Sequence, residues 1–238
     1  MTTVLGLRHP DVNVGVLVAD RQTTSLNLQT GIPSGKDLGR KLWKSKGENY
    51  CFGHSGMRDK ALEEFVKRFS AEEFDLPKIT KRGYFPELRK LNVKRLGRRV
   101  PENDKISGFI LATRFEGIVK LYTCFPLGAV EERVWTSTGS GDPKIIEYME
   151  AQRVLSEARD YLGDGHSLEA GNIIRIGLEA VRRSQMQDIF SHGLDMIVCT
   201  PEGIKDHHTE LGDDFGKKLK KIQRQYRSKD NQPKPEGE

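Results

Sequence analysis

At 238 residues the chain fits one domain of comfortable size, or one domain with decorations. With 36% hydrophobic and 31% charged residues it reads as a soluble protein; no apolar run approaches the ~18 residues needed to cross a membrane, and no basic N-terminal stretch leads into a long apolar one, so a secretory signal is not supported. The net charge of +5 is uneven: residues 76–105 hold ten Lys/Arg against three acids and residues 217–238 eight against three, which leaves −7 for the rest, so the basicity belongs to two appendages and not to the main body.

In chain order, Thr3–Arg8 and Asn13–Asp20 are rich in Val, Leu and Gly and predict a strand pair joined at His9-Pro10-Asp11. Residues 25–40, with Gly31, Pro33, Gly35 and Gly39, read as a loop or irregular hairpin. Tyr50–Gly53 is a short strand ending in Gly53-His54-Ser55-Gly56. Leu62, Phe65, Val66 and Phe69 recur at helical spacing and predict a helix from Met57 to about Glu73. Residues 76–105, with Pro77, Pro86, Pro101 and many charges, read as a basic insertion or a poorly packed helical excursion rather than core.

Ile106–Arg114 and Gly117–Phe125 form the next hairpin, and Val134–Ser140 a strand running into Gly139-Ser140-Gly141. Pro143 opens a helix to about Leu162, and Ser167 caps a second, with Ile173, Ile174, Ile176 or Gly177, Leu178 and Val181 facing inward. Leu194–Thr200 is a buried strand, with Gly203 in the turn after it. From about Gly216 the chain is highly charged and should be a disordered tail. This order suits an α+β fold of stacked antiparallel sheets with helices outside, better than βαβ alternation. It gives one domain over residues 2–215, with the basic insertion, and a tail over 216–238.

Cys51, Cys124 and Cys199 show neither metal-ligand spacing nor a paired pattern, which points to reduced thiols in a cytoplasm. No metal and no cofactor are expected. The chemistry is sought instead at the N-terminus. A threonine hydroxyl is a poor nucleophile until a base takes its proton. A free α-amine, with an ordinary pKa of roughly 7.7–8.0, is such a base near neutral pH. Thr2 combines both groups once Met1 is removed, and a small second residue favours that removal. A Met-Thr start alone carries little weight.

Further motifs in the same order carry more. Thr2-Thr3-Val4 with Val18-Ala19-Asp20-Arg21, then Gly39-Arg40-Lys41-Leu42-Trp43, Gly53-His54-Ser55-Gly56, Ser137-Thr138-Gly139-Ser140-Gly141 and Asp188-Ile189-Phe190-Ser191 together resemble the proteasome β-subunit family, including the HslV peptidase. The resemblance covers about residues 2–75 and 106–204. It implies the Ntn-hydrolase fold, a four-layer αββα sandwich of two antiparallel sheets flanked by helices. It also implies a threonine peptidase with Thr2 as nucleophile and its amine as base. Lys41 would keep that amine deprotonated and Asp20 would orient Lys41. Ser140, Asp188 and Ser191 would form a polar cluster around the amine, and the Gly53 N–H would bind the oxyanion. Thr23, Cys51 and Ser55 would line the first specificity pocket, with Trp43 at its base. Three positions depart from the family pattern: Gln22 stands for arginine, Phe52 for a small residue beside Gly53, and Asp142 for serine. Phe52 there would narrow the site. Lys36 competes with Lys41 for the lysine role, and Lys41 is preferred because Leu42 and Trp43 continue a strand.

The implied partners are a protein or peptide substrate and further copies of the chain in a self-compartmentalised ring of six or seven, in one ring or two. An ATPase or an α-type ring would regulate it, and no membrane is involved. Two alternatives share the fold: a transpeptidase or narrow amidohydrolase using the same acyl-enzyme, and a non-catalytic ring subunit that keeps Met1. Nucleic-acid binding through the two basic segments is disfavoured, because Tyr84, Phe85 and Tyr226 are the only candidate stacking residues in them and no recognised nucleic-acid fold accompanies the charge.

Overall fold

Every residue from Val14 to Asp20 is buried, which a strand achieves only when both faces of its sheet are covered. The computed structural model shows how. It describes residues 3–9, 13–26, 33–56, 59–96, 108–139, 143–151, 170–186 and 194–207, together with positions 217 and 221. In one antiparallel sheet, β1 (Thr3–His9) lies between β10 (Trp135–Gly139) and β2 (Val14–Asp20), followed by β11 (Leu194–Thr200) and β12 (Gly203–Asp206). A second antiparallel sheet runs β5 (Leu42–Lys44), β6 (Tyr50–His54), β7 (Phe109–Phe115), β8 (Ile118–Cys124) and β9 (Val130–Arg133). A separate hairpin pairs β3 (Gln22–Leu26) with β4 (Pro33–Leu38).

Three apolar cores fill the spaces between four layers. Between the sheets lie Val4, Leu17, Leu42, Ile110, Leu121 and Ile197. Outside the first sheet, α4 (residues 143–151) and α5 (Ala170–Met186) bring Ile145, Ile174 and Leu178 onto Leu5, Val16 and Val18. Outside the second, α1 (Lys60–Ser70), α2 (Leu76–Arg82) and α3 (Pro86–Leu96) cover Phe52, Phe109 and Leu111. The architecture is the expected α+β sandwich, αββα in layer order.

Local chemistry sets the boundaries. Asp59 caps α1 by accepting the Leu62 N–H at 2.8 Å, so the helix starts at Lys60 and not at Met57. Asp75 caps α2, and Gly83, at φ 64°, closes it in the left-handed conformation. Glu116 and Gly117, both at positive φ, make the tight turn between β7 and β8. Gly177 faces inward on α5, where a Cβ would stand 3.0 Å from Leu7 Cδ1, and Ile176 packs half-buried against the same core.

The expectation for residues 76–105 needs correction. α2 and α3 are not a loose excursion, because Leu76, Ile79, Phe85, Leu88 and Leu91 are buried in the helix-side core. Apart from Arg95, whose side chain is turned inward, their Lys and Arg residues are exposed. Gly203 begins β12 instead of sitting in a turn, and β9 was not anticipated. The remainder of the helix expected to reach Leu162, the Ser167 cap of the helix after it, and the tail apart from positions 217 and 221 lie outside the described residues. Among the described residues no helix is long and apolar enough to cross a membrane.

All three cysteines are buried free thiols. Cys124 belongs to the helix-side core, Cys51 and Cys199 to the core between the sheets. Burial pushes the Cys124 and Cys199 thiols up to about 12, and Cys51 well above its usual range.

Candidate functional site

The site is built around Asp20, the last residue of β2. The β1–β2 register, Val4 opposite Ala19, continues to bring Thr3 beside Asp20. The Thr3 N–H donates to Asp20 Oδ1 at 2.6 Å. Lys41, immediately before β5 in the other sheet, donates from Nζ to the same Oδ1 at 2.8 Å. Both side chains are almost fully buried, and a buried ammonium needs such an anionic partner. Burial raises the Asp20 carboxyl above its usual range, while the Lys41 charge and the Thr3 N–H pull it down. One carboxylate therefore ties a lysine to the backbone of the residue that follows Thr2. Lys36, the competing lysine, belongs to the β3–β4 hairpin opposite Thr24; Lys41 is the lysine that reaches Asp20.

Next to Asp20, Arg21 Nε lies 3.4 Å from Asp195 Oδ1 on β11. This pair was not assigned from the sequence. A lone acid inside the apolar run Leu-Asp-Met-Ile-Val-Cys was the available signal, since β11 buries it completely.

Gly53 occupies a crossing point. A Cβ there would lie 2.5 Å from Val4 Cγ1 and 3.0 Å from Leu42 Cδ2, so glycine lets β1, which carries the N-terminus, lie close against β6. The His54 N–H donates to the Lys41 carbonyl, and the Ser55 N–H to that of Gly108. Antiparallel alternation then turns the Gly53 N–H toward Ile110 on β7. The amide expected to bind an oxyanion is thus directed into the sheet. Gly56, at φ 121°, lies past the last registered pair of β6. The His54 imidazole is fully buried against Phe109, ring centroids 4.5 Å apart. Burial, aided by the charges of Arg95 and Lys41, holds its pKa well below the usual histidine range.

Of the four expected pocket residues, Trp43 and Cys51 fall in different cores. Trp43 stands opposite Phe52 in the β5–β6 ladder and stacks on it at 4.9 Å. Both face the helix-side core. Cys51 points the other way and is sealed between the sheets. Phe52 packs in that helix-side core, on the face of β6 opposite the one where Gly53 meets Val4. Ser55 is buried, its hydroxyl 2.7 Å from that of Thr138 on β10, a bond that ties the two sheets together. Thr23 lies on β3 opposite Asp37.

Thr2, Ser140, Asp188 and Ser191 lie outside the described residues, as does Asp142. The described strands lead up to them: the β1–β10 register reaches Thr3 opposite Gly139, and β11 begins three residues after Ser191. Among the described residues no cluster of His, Cys, Asp or Glu could hold a metal ion.

No family model matches the chain. A proteasome subunit beta from Methanocaldococcus vulcanius is 35% identical over 112 residues, or 44% of this chain and 45% of that protein. The chain thus matches less than half the length of this relative. The likeness and the two-sheet architecture support a divergent relative of the proteasome β family with the Ntn-hydrolase fold.

Proposed function

We propose that the chain is a threonine endopeptidase in which Thr2, freed by removal of Met1, is the nucleophile. One observation supports this reading above the others: Asp20 Oδ1 accepts both the Lys41 ammonium and the amide of the residue next to Thr2. A cation held there disfavours protonation of the neighbouring α-amine and keeps it a base. The amine takes the hydroxyl proton, Oγ attacks the peptide carbonyl, and the amine returns the proton to the leaving nitrogen. Water then hydrolyses the acyl-enzyme. Ser140, Asp188 and Ser191 complete the polar surroundings of the amine. With the Gly53 N–H turned toward β7, the oxyanion falls to the amide of Gly56. The chain works as one domain over residues 2–215 in a ring of six or seven copies, single or stacked, served by an ATPase or α-type ring.

The test is intact mass after treatment with a peptide epoxyketone, which needs both the hydroxyl and the free amine. The wild-type chain should have lost Met1 and gain one adduct, and Thr2→Ala should gain none. An adduct on Thr2→Ala refutes the site, and a retained Met1 favours a non-catalytic subunit. Peptide cleavage with an added amine separates hydrolysis from transpeptidation, and ligated product replaces the endopeptidase reading. Native mass spectrometry reads the ring size.

A further inference from the structure

The basic helix α3 carries one cation that is unlike its neighbours. Its inward positions are Leu88, Leu91, Asn92 and Arg95, at helical spacing, while Arg89, Lys90 and Lys94 are exposed. The Arg95 side chain is only 4% exposed. Removing a guanidinium from water is costly unless a well-placed anion offsets it. That anion is Asp59, whose Oδ2 accepts Arg95 Nε at 2.6 Å. The other oxygen of the same carboxylate caps α1 through the Leu62 N–H. Asp59 comes three residues after Gly56. The described residues that follow β6 are thus anchored at His54, by its N–H on the Lys41 carbonyl, and at Asp59, by its carboxylate on Arg95. The imidazole of His54, buried between, lies within the influence of both cations.

We propose that Arg95 is a positioning residue for the catalytic centre, fixing the turn over residues 53–56 against Lys41 through its ion pair with Asp59. The inference rests on the threonine-peptidase reading. It gives the basic segment a role inside the molecule: α3 braces the turn that presents the oxyanion donor to Thr2.

The test compares the wild-type chain with Arg95→Met and Arg95→Lys, by hydrogen exchange over residues 53–59 and by the rate and affinity of epoxyketone capture. Arg95→Met should speed exchange in the turn and slow the capture step on the order of ten- to a hundredfold, with inhibitor affinity unchanged to about twofold. Arg95→Lys, which keeps the charge, should restore most of both. A purely structural arginine would not split the rate from the affinity in this way. Unchanged exchange in Arg95→Met overturns the inference, as does faster exchange with an unchanged capture step. If Arg95→Met does not fold, Asp59→Asn is measured in its place. It retains the capping oxygen and loses the ion pair, and the same outcomes apply. Absence of capture by the wild-type chain defeats the peptidase reading instead; exchange in the turn then decides alone whether Arg95 holds it.

Discussion

Lys41 and Asp20 form a buried ion pair whose halves are costly apart. Lys41→Met leaves a carboxylate without its cation in a dry site and should destabilise the chain by about 3–5 kcal/mol. Adding Asp20→Asn removes the stranded charge, keeps an acceptor for the Thr3 N–H, and should recover most of that loss. Urea unfolding of the single and double variants checks this, and a double variant no more stable than Lys41→Met would refute it. His54 gives a pH dependence with a defined sign. Its pKa lies well below 6.5 in the fold and near that value in the unfolded chain. Below about pH 6.5 the unfolded state therefore binds a proton that the folded state does not. Stability should fall as pH drops, with a slope approaching 1.4 kcal/mol per pH unit. His54→Gln should lack this slope, as measured by urea unfolding over the same pH range. At this scale Asp20 and Lys41 were legible as members of an ordered set of motifs. Arg95 was not, since composition hides which cation of α3 its helical phase turns inward, although the spacing of Arg95 from Leu88 and Leu91 carried that information. Asp195 was visible only as an acid where every neighbour is apolar.

The strand pair β1–β2 and strand β11 were legible because burial on both faces demands an unbroken apolar run. Pairing across the sandwich was not, because no residue type encodes which strand lies over which. Gly53 marks such a crossing. Gly53→Ala should cost about 1–3 kcal/mol by driving a methyl into Val4. Val4→Ala removes the obstructing atom, so the double variant should be more stable than the sum of the two singles requires. Additive losses in urea unfolding would argue against the close approach. Charge counting alone misses helices α2 and α3 because it ignores phase: the buried leucines and isoleucine take one side, with Arg95 beside them on α3, and the other cations of the two helices take the exposed side. The assignment of Trp43 and Cys51 to one pocket failed for the analogous reason in strands. Residues paired as Trp43 is with Phe52 share a face, and Cys51, one position from Phe52, takes the other.

As a whole the molecule divides its apolar interior into three separate layers, and the segment 76–96 belongs to the outermost of them on one side. Replacing that segment with a short linker would remove Phe85 from Phe65 and Phe74 and uncover both rings. The shortened chain should bind a hydrophobic dye and lose its sharp unfolding transition; a shortened chain that still unfolds sharply and excludes dye would show the segment to be dispensable. The layer plan was legible from the order of elements, whereas the partition of side chains among the layers depended on register and phase. The three cysteines sample this partition unequally, one under the helices α1–α3 and two between the sheets. Protonated and enclosed, they are poor targets for alkylating reagents while the layers stay shut. Each one that takes up label under mild denaturant therefore reports which seam of the sandwich has parted.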